Sequence, residues 1–313
     1  MTLLRHLLAA VLLFASFAVS ATDRPLLEAR ELAGILDQVQ TIDIRTAQAY
    51  ADGHIPNAIS APYGRWRGPA SNPGSLLSEQ EFTSLIQELG LQQDQHLVVY
   101  STGEDETDFG AAARVYWTLK YLGFEKLSVL NGGYKYWQQQ GSNQVSQTGY
   151  SLPASSSQVR LRPELAIQTD EMLSKITGQQ QGLQLLDSRP PAFFQGQLKA
   201  PTATTPGTIA GAQNAPFQQW FNDNDTRLRP VEEIRQLVIS QNLHQASETL
   251  SFCNTGHWAA TNWFVLSELA QVPNVRLYPG SMAEWTQSST ELPMDNVPGR
   301  LQQIISKFKQ LVQ

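Results

Sequence analysis

The chain has 313 residues, which is enough for two domains at roughly 150 residues each. A hydrophobic content of 41% and a charged content of 16% are typical of globular proteins and exclude a disordered or fibrous class. The net charge of −6, without basic runs, gives no electrostatic basis for binding nucleic acid. One cysteine and five scattered histidines offer no metal-ligand spacing, so we expect neither a metal nor a cofactor.

The first 21 residues have the pattern of a signal peptide. Arg5 supplies a positive charge, residues 7–19 are mostly apolar, and residues 18–21 form a small-residue cleavage site. Because the apolar stretch is shorter than the roughly 20 residues of a membrane span, we expect cleavage rather than retention as an anchor. The sequence therefore predicts an exported, periplasmic protein with no stable membrane span after processing.

In chain order, the first half predicts helices that alternate with buried strands. The predicted elements are a helix at 25–36, a strand at 39–45, a turn at 53–58, a helix at 78–89, a strand at 96–100, a helix at 111–122 and a strand at 127–130. Ser78 and Glu81 have the spacing of a capping box at the start of the helix at 78–89. A polar stretch at 142–158, rich in Ser, Gln and Gly, then predicts a linker.

The second half repeats this order, which indicates a duplication. The repeated features are Asp43-Ile44-Arg45 with Asp187-Ser188-Arg189, the turn at 53–58 with 207–212, the helix at 78–89 with 230–239, the strand at 96–100 with 249–252, and Trp137 with Trp285. We predict two α/β domains, each a mainly parallel sheet with helices on both faces. The predicted boundaries are a first domain at 22–145, a linker at 146–160, a second domain at 161–295 and a C-terminal amphipathic helix at 296–313.

Cys253, the only cysteine, lies where the predicted strand at 249–252 passes into a helix. Backbone amides at a helix N-terminus favour an anion, so this position predicts a reactive thiolate in an anion cradle. The cradle residues are Asn254, Thr255, Gly256, His257 and Trp258. His257 either assists proton transfer at the sulfur or faces solvent. Trp258 either forms a wall of the pocket or packs between the domains.

The repeat provides an internal comparison for this loop. Ser101 aligns with Cys253 at an offset of 152, whereas Trp137 aligns with Trp285 at an offset of 148. The first-domain loop is therefore longer, and it carries four carboxylates that would repel an anion: Glu104, Asp105, Glu106 and Asp108. We expect the first domain to be inactive.

The ordered motifs resemble the rhodanese (sulfurtransferase) family in its tandem-domain form. The resemblance rests on the two Asp-x-Arg segments, the two Gly-containing turns, Leu130-Asn131-Gly132-Gly133, the loop opened by Cys253, and the segment 277–281. It covers nearly all of the predicted mature chain. It implies that the Cys253 thiolate takes a sulfur atom from an anionic donor such as thiosulfate, which leaves a Cys253 persulfide, and that the persulfide gives this sulfur to a thiol, sulfite or cyanide. Such a reaction follows ping-pong kinetics.

The sequence departs from the family pattern at the substrate site. Asn254 and Thr255 stand where thiosulfate-using relatives have cations, Phe193 stands where the family has a substrate-binding arginine, and Thr208 replaces a histidine. Lys199 is the only nearby cation in the stretch that follows Phe193. We therefore expect Phe193 and Lys199 beside the substrate, in a site with little positive charge. Asp187 and Arg189 are expected to form a buried structural ion pair.

Three other functions compete with that of a sulfurtransferase that acts on small donors. A persulfide carrier would hand its sulfur to a protein acceptor and react slowly with small donors. A cysteine phosphatase needs an arginine six residues after the cysteine, where this chain has Ala259, so that function is excluded. A non-catalytic binding module would make Cys253 a passive buried thiol.

Overall fold

The computed structural model describes residues 24–140 and 144–299. The predicted signal peptide and most of the predicted C-terminal helix lie outside the described residues. No helix within the described ranges is long and apolar enough to cross a membrane.

The first domain is a parallel sheet of five strands in the order β1-β5-β4-β2-β3. The strands are β1 (Leu26–Leu27), β2 (Gln40–Asp43), β3 (Ile59–Ser60), β4 (Leu97–Tyr100) and β5 (Leu127–Leu130). The helices are α1 (Ala29–Ile35), α2 (Ala47–Asp52), α3 (Glu79–Glu88), α4 (Glu106–Tyr121) and α5 (Gly133–Gln140). The prediction of one helix over 25–36 is wrong at its start, because Leu26 and Leu27 form the edge strand β1, which pairs with β5 before α1 begins.

The second domain repeats this arrangement with a parallel sheet in the order β10-β9-β6-β8 and an antiparallel pair β11-β7. The strands are β6 (Leu183–Asp187), β7 (Thr208–Ile209), β8 (Gln213–Asn214), β9 (Glu248–Phe252), β10 (Val275–Leu277) and β11 (Met294–Asp295). The helices are α6 (Thr169–Thr177), α7 (Pro191–Phe194), α8 (Val231–Ser240), α9 (Trp258–Trp263) and α10 (Ser281–Gln287). A π-helical segment, Phe264–Leu269, continues α9. The predicted α/β fold with two mainly parallel sheets is confirmed.

The N-terminal caps explain where two first-domain helices begin. Ser78 and Glu81 form the predicted capping box of α3, with each side chain accepting from the other residue's amide. Helix α4 begins at Glu106, earlier than predicted, because the Asp105 carboxylate accepts the amide of Asp108 at 3.0 Å. Acidic residues are favourable in a first helical turn because they face the positive end of the helix dipole. The carboxylates of the longer loop therefore have a structural role.

The two domains share one hydrophobic core, in which α4 packs against α9. Phe109 of α4 contacts Phe221 and Phe264 of the second domain edge-on, with ring centroids 5.7 and 5.6 Å apart. Glu268 of the π-helical segment accepts from Tyr116 at 2.6 Å and pairs with Lys120 at 2.5 Å. This packing brings the loop that follows β9 against the first domain.

The segment predicted as a linker follows the surface of the first domain. Ser146 pairs with His54, the amide of Ser155 donates to Gln87, and the amide of Arg160 donates to Leu122. These contacts attach the connection to the first domain along much of its length, so it is not a free tether.

Candidate active site

Cys253 directly follows β9, which lies inside its sheet between β10 and β6. The residues 253–258, here called the cysteine loop, include the connection from β9 to α9 and the first residue of α9. The side chain of Cys253 is buried, with 1% exposure, at the carboxyl end of a parallel strand. This edge of a parallel sheet is where ligands commonly bind in α/β folds.

The hydroxyl of Ser281 organises the cysteine loop. It accepts the backbone amides of Cys253 at 3.1 Å and Gly256 at 3.0 Å, and it donates to the Tyr278 carbonyl at 2.8 Å. A hydroxyl has one donor and two acceptor positions, so Ser281 uses all of them here. The amides of Cys253 and Gly256 are thus occupied by the protein itself. The cradle from Asn254 to Trp258 otherwise remains a prediction.

Two arginines of the first domain contact the carbonyls of the cysteine loop. Arg67 donates from Nη2 to Thr255 at 2.7 Å. Arg114 of α4 donates from Nη1 to Gly256 at 3.2 Å and from Nη2 to Gly74 at 2.9 Å. The expectation of a site with little positive charge is wrong, because it counted only second-domain residues, whereas Arg67 and Arg114 come from the first domain.

Arg114 is fully buried, and its charge is affected by its neighbours. Burial, the largest cause, and the nearby charge of Arg67 lower the pKa of Arg114 to about 9. Tyr63 and Cys253 act in the opposite direction on this pKa, as expected for acidic groups close to the guanidinium. At neutral pH Arg114 therefore remains protonated beside the cysteine loop.

His257 contacts the first domain through both ring nitrogens. Nδ1 accepts from the Tyr63 hydroxyl at 2.9 Å, and Nε2 donates to the Thr107 carbonyl at 2.7 Å. A carbonyl can only accept, which assigns the proton of the neutral ring to Nε2. Burial, and then the charge of Arg67, lower the pKa of His257 to about 4. His257 is half-buried and neutral at pH 7, and in this arrangement neither nitrogen is free to serve the sulfur.

A glycine permits this contact between the domains. A Cβ atom at Gly110 of α4 would lie 2.9 Å from the ring atoms of His257. Such a distance is too short for carbon atoms, so only glycine lets α4 approach the imidazole this closely.

Trp258 lies among aromatic side chains of the second domain. Its ring stacks on Phe217 with centroids 5.0 Å apart and planes 8° apart, and it meets Phe193 edge-on at 6.0 Å. Phe193 and Trp258 are half-buried, whereas Phe217 is buried. This packing gives Trp258 a structural partner within its own domain.

Lys199 is exposed and donates to the Ala203 carbonyl at 2.7 Å. Within the described residues no contact joins Lys199 to the cysteine loop. The predicted substrate residues Phe193 and Lys199 therefore differ in their surroundings, and only Phe193 lies against a residue of that loop, Trp258.

Asp187 and Arg189 form the expected buried ion pair at the end of β6. The closest contact, Arg189 Nη2 to Asp187 Oδ2, is 2.6 Å, and the same nitrogen donates to Gly207 at 2.7 Å. Thr208 donates its hydroxyl to Asp187 at 2.7 Å. Asp43 and Arg45 repeat the pair in the first domain, where there is no cysteine. One feature is specific to the second domain: Arg189 Nη1 donates to Asn254 Oδ1 at 3.4 Å, next to Cys253.

Comparison with known proteins identifies the family. The Rhodanese-like domain matches residues 28–140 and 169–288. The chain belongs to the rhodanese family. A 3-mercaptopyruvate sulfurtransferase from Escherichia coli K12 is 29% identical over 257 residues, covering 82% of this chain and 88% of that protein. A Mycobacterium bovis protein, provisionally named a thiosulfate sulfurtransferase, is 32% identical over 251 residues, 76% of this chain and 84% of that protein.

Solved structures agree with this family assignment. The crystal structure of SseA, a 3-mercaptopyruvate sulfurtransferase from Escherichia coli, matches with a TM-score of 0.70 and 27% identity over 83% of this chain and 100% of that chain. The anaerobic ergothioneine biosynthesis enzyme from Chlorobium limicola matches with a TM-score of 0.75 and 22% identity, covering 88% of this chain and 71% of that chain, which shows a shared fold. The rhodanese domains and the sulfurtransferase relatives make this chain a sulfurtransferase.

Sequence reasoning missed four residues that surround the cysteine loop: Ser281, Tyr63, Arg67 and Arg114. Ser281 lies in a segment that the family resemblance had selected, but its sequence context does not reveal the bonds of its hydroxyl. The other three lie in the opposite domain, far from Cys253 in sequence, and no sequence motif indicates that they approach the cysteine loop.

Proposed function

We propose that this sulfurtransferase moves a sulfane sulfur from a small anionic donor to a thiophilic acceptor through a persulfide on Cys253. The observation that carries the proposal is the position of Cys253, which lies at the end of a central strand in a loop contacted by the guanidinium groups of Arg67 and Arg114. Positive charge at the site favours the thiolate, the persulfide anion and an anionic donor together. Thiosulfate and 3-mercaptopyruvate, the substrates that the relatives' names give, are the first donors to test.

The reaction needs two displacements and no external oxidant or reductant. With thiosulfate, the Cys253 thiolate attacks the outer sulfur, a new S–S bond forms, and sulfite leaves with the electron pair of the broken bond. An acceptor thiolate or cyanide then attacks the outer persulfide sulfur, takes that sulfur, and restores the Cys253 thiolate as leaving group. A covalent intermediate between two half-reactions predicts ping-pong kinetics.

The alternative is a persulfide carrier that serves a protein acceptor. The 1% exposure of Cys253 favours small substrates over a protein thiol, because a protein would need the surrounding side chains to move. Export of the mature protein to the periplasm is also proposed, and it is supported by the signal-peptide pattern of residues 1–21. The N-terminal sequence of the protein purified from its native cell envelope fraction tests that part.

Intact-mass spectrometry tests the chemistry directly. The purified protein is measured before and after incubation with thiosulfate or 3-mercaptopyruvate, with Cys253→Ser as the control. We expect a gain of one sulfur, about 32 Da, that is absent in Cys253→Ser and removed by cyanide or a thiol. Ready alkylation of Cys253 without loading by any donor would instead favour the carrier. A cysteine that neither loads nor alkylates would overturn the catalytic assignment.

A further inference from the structure

We propose that Arg67, a residue of the first domain, binds the anionic group of the sulfur donor beside Cys253. The proposal rests on Cys253 as the nucleophile that accepts the sulfur. It assigns a substrate-binding role to the domain that has no cysteine of its own.

The first observation is an unused hydrogen-bond donor on Arg67. Its Nη2 donates to the Thr255 carbonyl at 2.7 Å, and its guanidinium carbon lies 5.1 Å from the centre of the Tyr63 ring, so the group is held against the cysteine loop. Its Nη1 is buried and has no hydrogen-bond partner within the described residues. A buried charged donor without a partner is costly, and an acceptor supplied by a ligand would remove that cost.

The second observation is the like charge next to Arg67. Arg114 is fully buried, and the charge of Arg67 disfavours its protonated form. No carboxylate pairs with either guanidinium in the part of the chain that the structure describes. Two neighbouring cations without a counter-ion form an anion site, because an anion would relieve both the repulsion and the lost hydration.

The contacts give the two arginines different roles. Arg114 uses both Nη atoms on backbone carbonyls, at Gly256 and Gly74, and is therefore a positioning residue for the cysteine loop. Arg67 is only partly buried and keeps Nη1 free, so it can donate to a sulfonate or carboxylate oxygen of the donor. This arrangement accounts for a cysteine loop that has Asn254 and Thr255 after the nucleophile and Phe193 against Trp258. The cationic part of the site comes from the other domain.

The charge that Arg67 supplies at the sulfur can be measured without any sulfur donor. Iodoacetate and iodoacetamide alkylate the same thiol and are nearly equal in size, but only iodoacetate is an anion. Because a nearby positive charge attracts only the anionic reagent, we expect Arg67→Gln to lower the iodoacetate to iodoacetamide rate ratio at Cys253 about tenfold or more. Arg67→Lys keeps the charge and should recover much of the ratio.

Arg65→Gln is the matched control. Arg65 lies in the helical turn Tyr63–Trp66, directly before Arg67, but its guanidinium pairs with Glu88 on the surface at 2.6 Å. The substitution removes the same charge without touching the cysteine loop, so the rate ratio should equal that of the unmodified protein. An unchanged rate ratio in Arg67→Gln would overturn the proposal. If both reagents are slowed equally, Arg67 is only a loop-positioning residue, and if neither is slowed, Arg67 does not influence the sulfur.

Donor kinetics complete the test. With thiosulfate, Arg67→Gln should raise KM at least tenfold and change kcat less, because the lost contact is made in the bound donor as well as in the transition state. A fall in kcat at constant KM would contradict donor binding by Arg67. The alkylation ratio also separates the two proposals, because it detects the anion site even if no tested donor loads Cys253. In that case the proposed sulfur-transfer reaction is contradicted, whereas the proposed anion site at Arg67 is supported.

Discussion

Tyr63 of the first domain donates a hydrogen bond to Nδ1 of His257, which follows Cys253 by four residues. The distance is 2.9 Å, and the opposite nitrogen of the same ring donates to Thr107 at 2.7 Å. The imidazole thus connects the cysteine loop to the first domain through two hydrogen bonds. A histidine close to a nucleophile suggests acid or base catalysis in the sequence, whereas these contacts make it an interdomain connection.

The pH dependence of stability tests this connection. His257 has a folded pKa of about 4, below the ordinary value of about 6.5 that it should regain on unfolding. The unfolded chain therefore binds the proton first, so this histidine lowers the stability as the pH falls from about 6.5 to about 4. We expect His257→Gln, which can keep both hydrogen bonds but cannot titrate, to lose that part of the pH dependence. Urea unfolding between pH 4 and pH 7.5 measures it.

The control for this measurement is His244→Gln, which removes an exposed histidine outside the cysteine loop. Its stability should follow that of the unmodified protein over the same pH range more closely than that of His257→Gln does. If His257→Gln and the unmodified protein have parallel pH profiles, His257 is not held neutral by the interface.

The sequence predicted those parts of the molecule that depend on local pattern or on the duplication. The buried strand before Cys253 and the capping box of Ser78 and Glu81 are both short-range features, and the structure contains both. The position of Arg114 depends instead on how α4 packs on α9, and no local pattern reports such packing. The charge of the acidic residues near Asp105 predicts only the repulsion of an anion, whereas in the structure the Asp105 carboxylate caps α4 by accepting the Asp108 amide. Residues that act across an interface therefore had to come from the structure.

The two buried Asp-x-Arg pairs allow a paired experiment. Removing the charge of one partner leaves a buried guanidinium uncompensated, so Asp187→Asn and Asp43→Asn should each lower the free energy of unfolding by about 3–5 kcal/mol. Only Arg189 also contacts the cysteine loop, through Asn254 at 3.4 Å. We therefore expect Asp187→Asn to slow persulfide formation in the folded fraction, whereas Asp43→Asn leaves that rate unchanged. Urea unfolding and timed mass spectrometry give the two quantities, and equal loading rates would show that Arg189 does not influence the loop.

Ser281 provides the sharpest test of how the cysteine loop keeps its shape. Its backbone has φ 51°, in the left-handed region, and Gly133 occupies the repeated position in the first domain with φ 61°. The second domain thus accepts an unfavourable backbone conformation at a residue whose hydroxyl binds the amides of Cys253 and Gly256. Ser281→Ala should leave two buried amides without an acceptor, at about 1–3 kcal/mol each, and slow sulfur loading at least tenfold.

Ser281→Gly separates the hydroxyl from the backbone. It removes the same hydroxyl but relieves the left-handed strain, so it should be about 1 kcal/mol more stable than Ser281→Ala. Its loading rate should nevertheless be as slow as that of Ser281→Ala, because both lack the acceptor for the loop amides. Thermal unfolding and timed intact-mass measurements with thiosulfate test both statements. If Ser281→Gly loads as fast as the unmodified protein, the hydroxyl does not organise the loop for sulfur transfer. A glycine, as found at the repeated position 133, would then be sufficient at position 281.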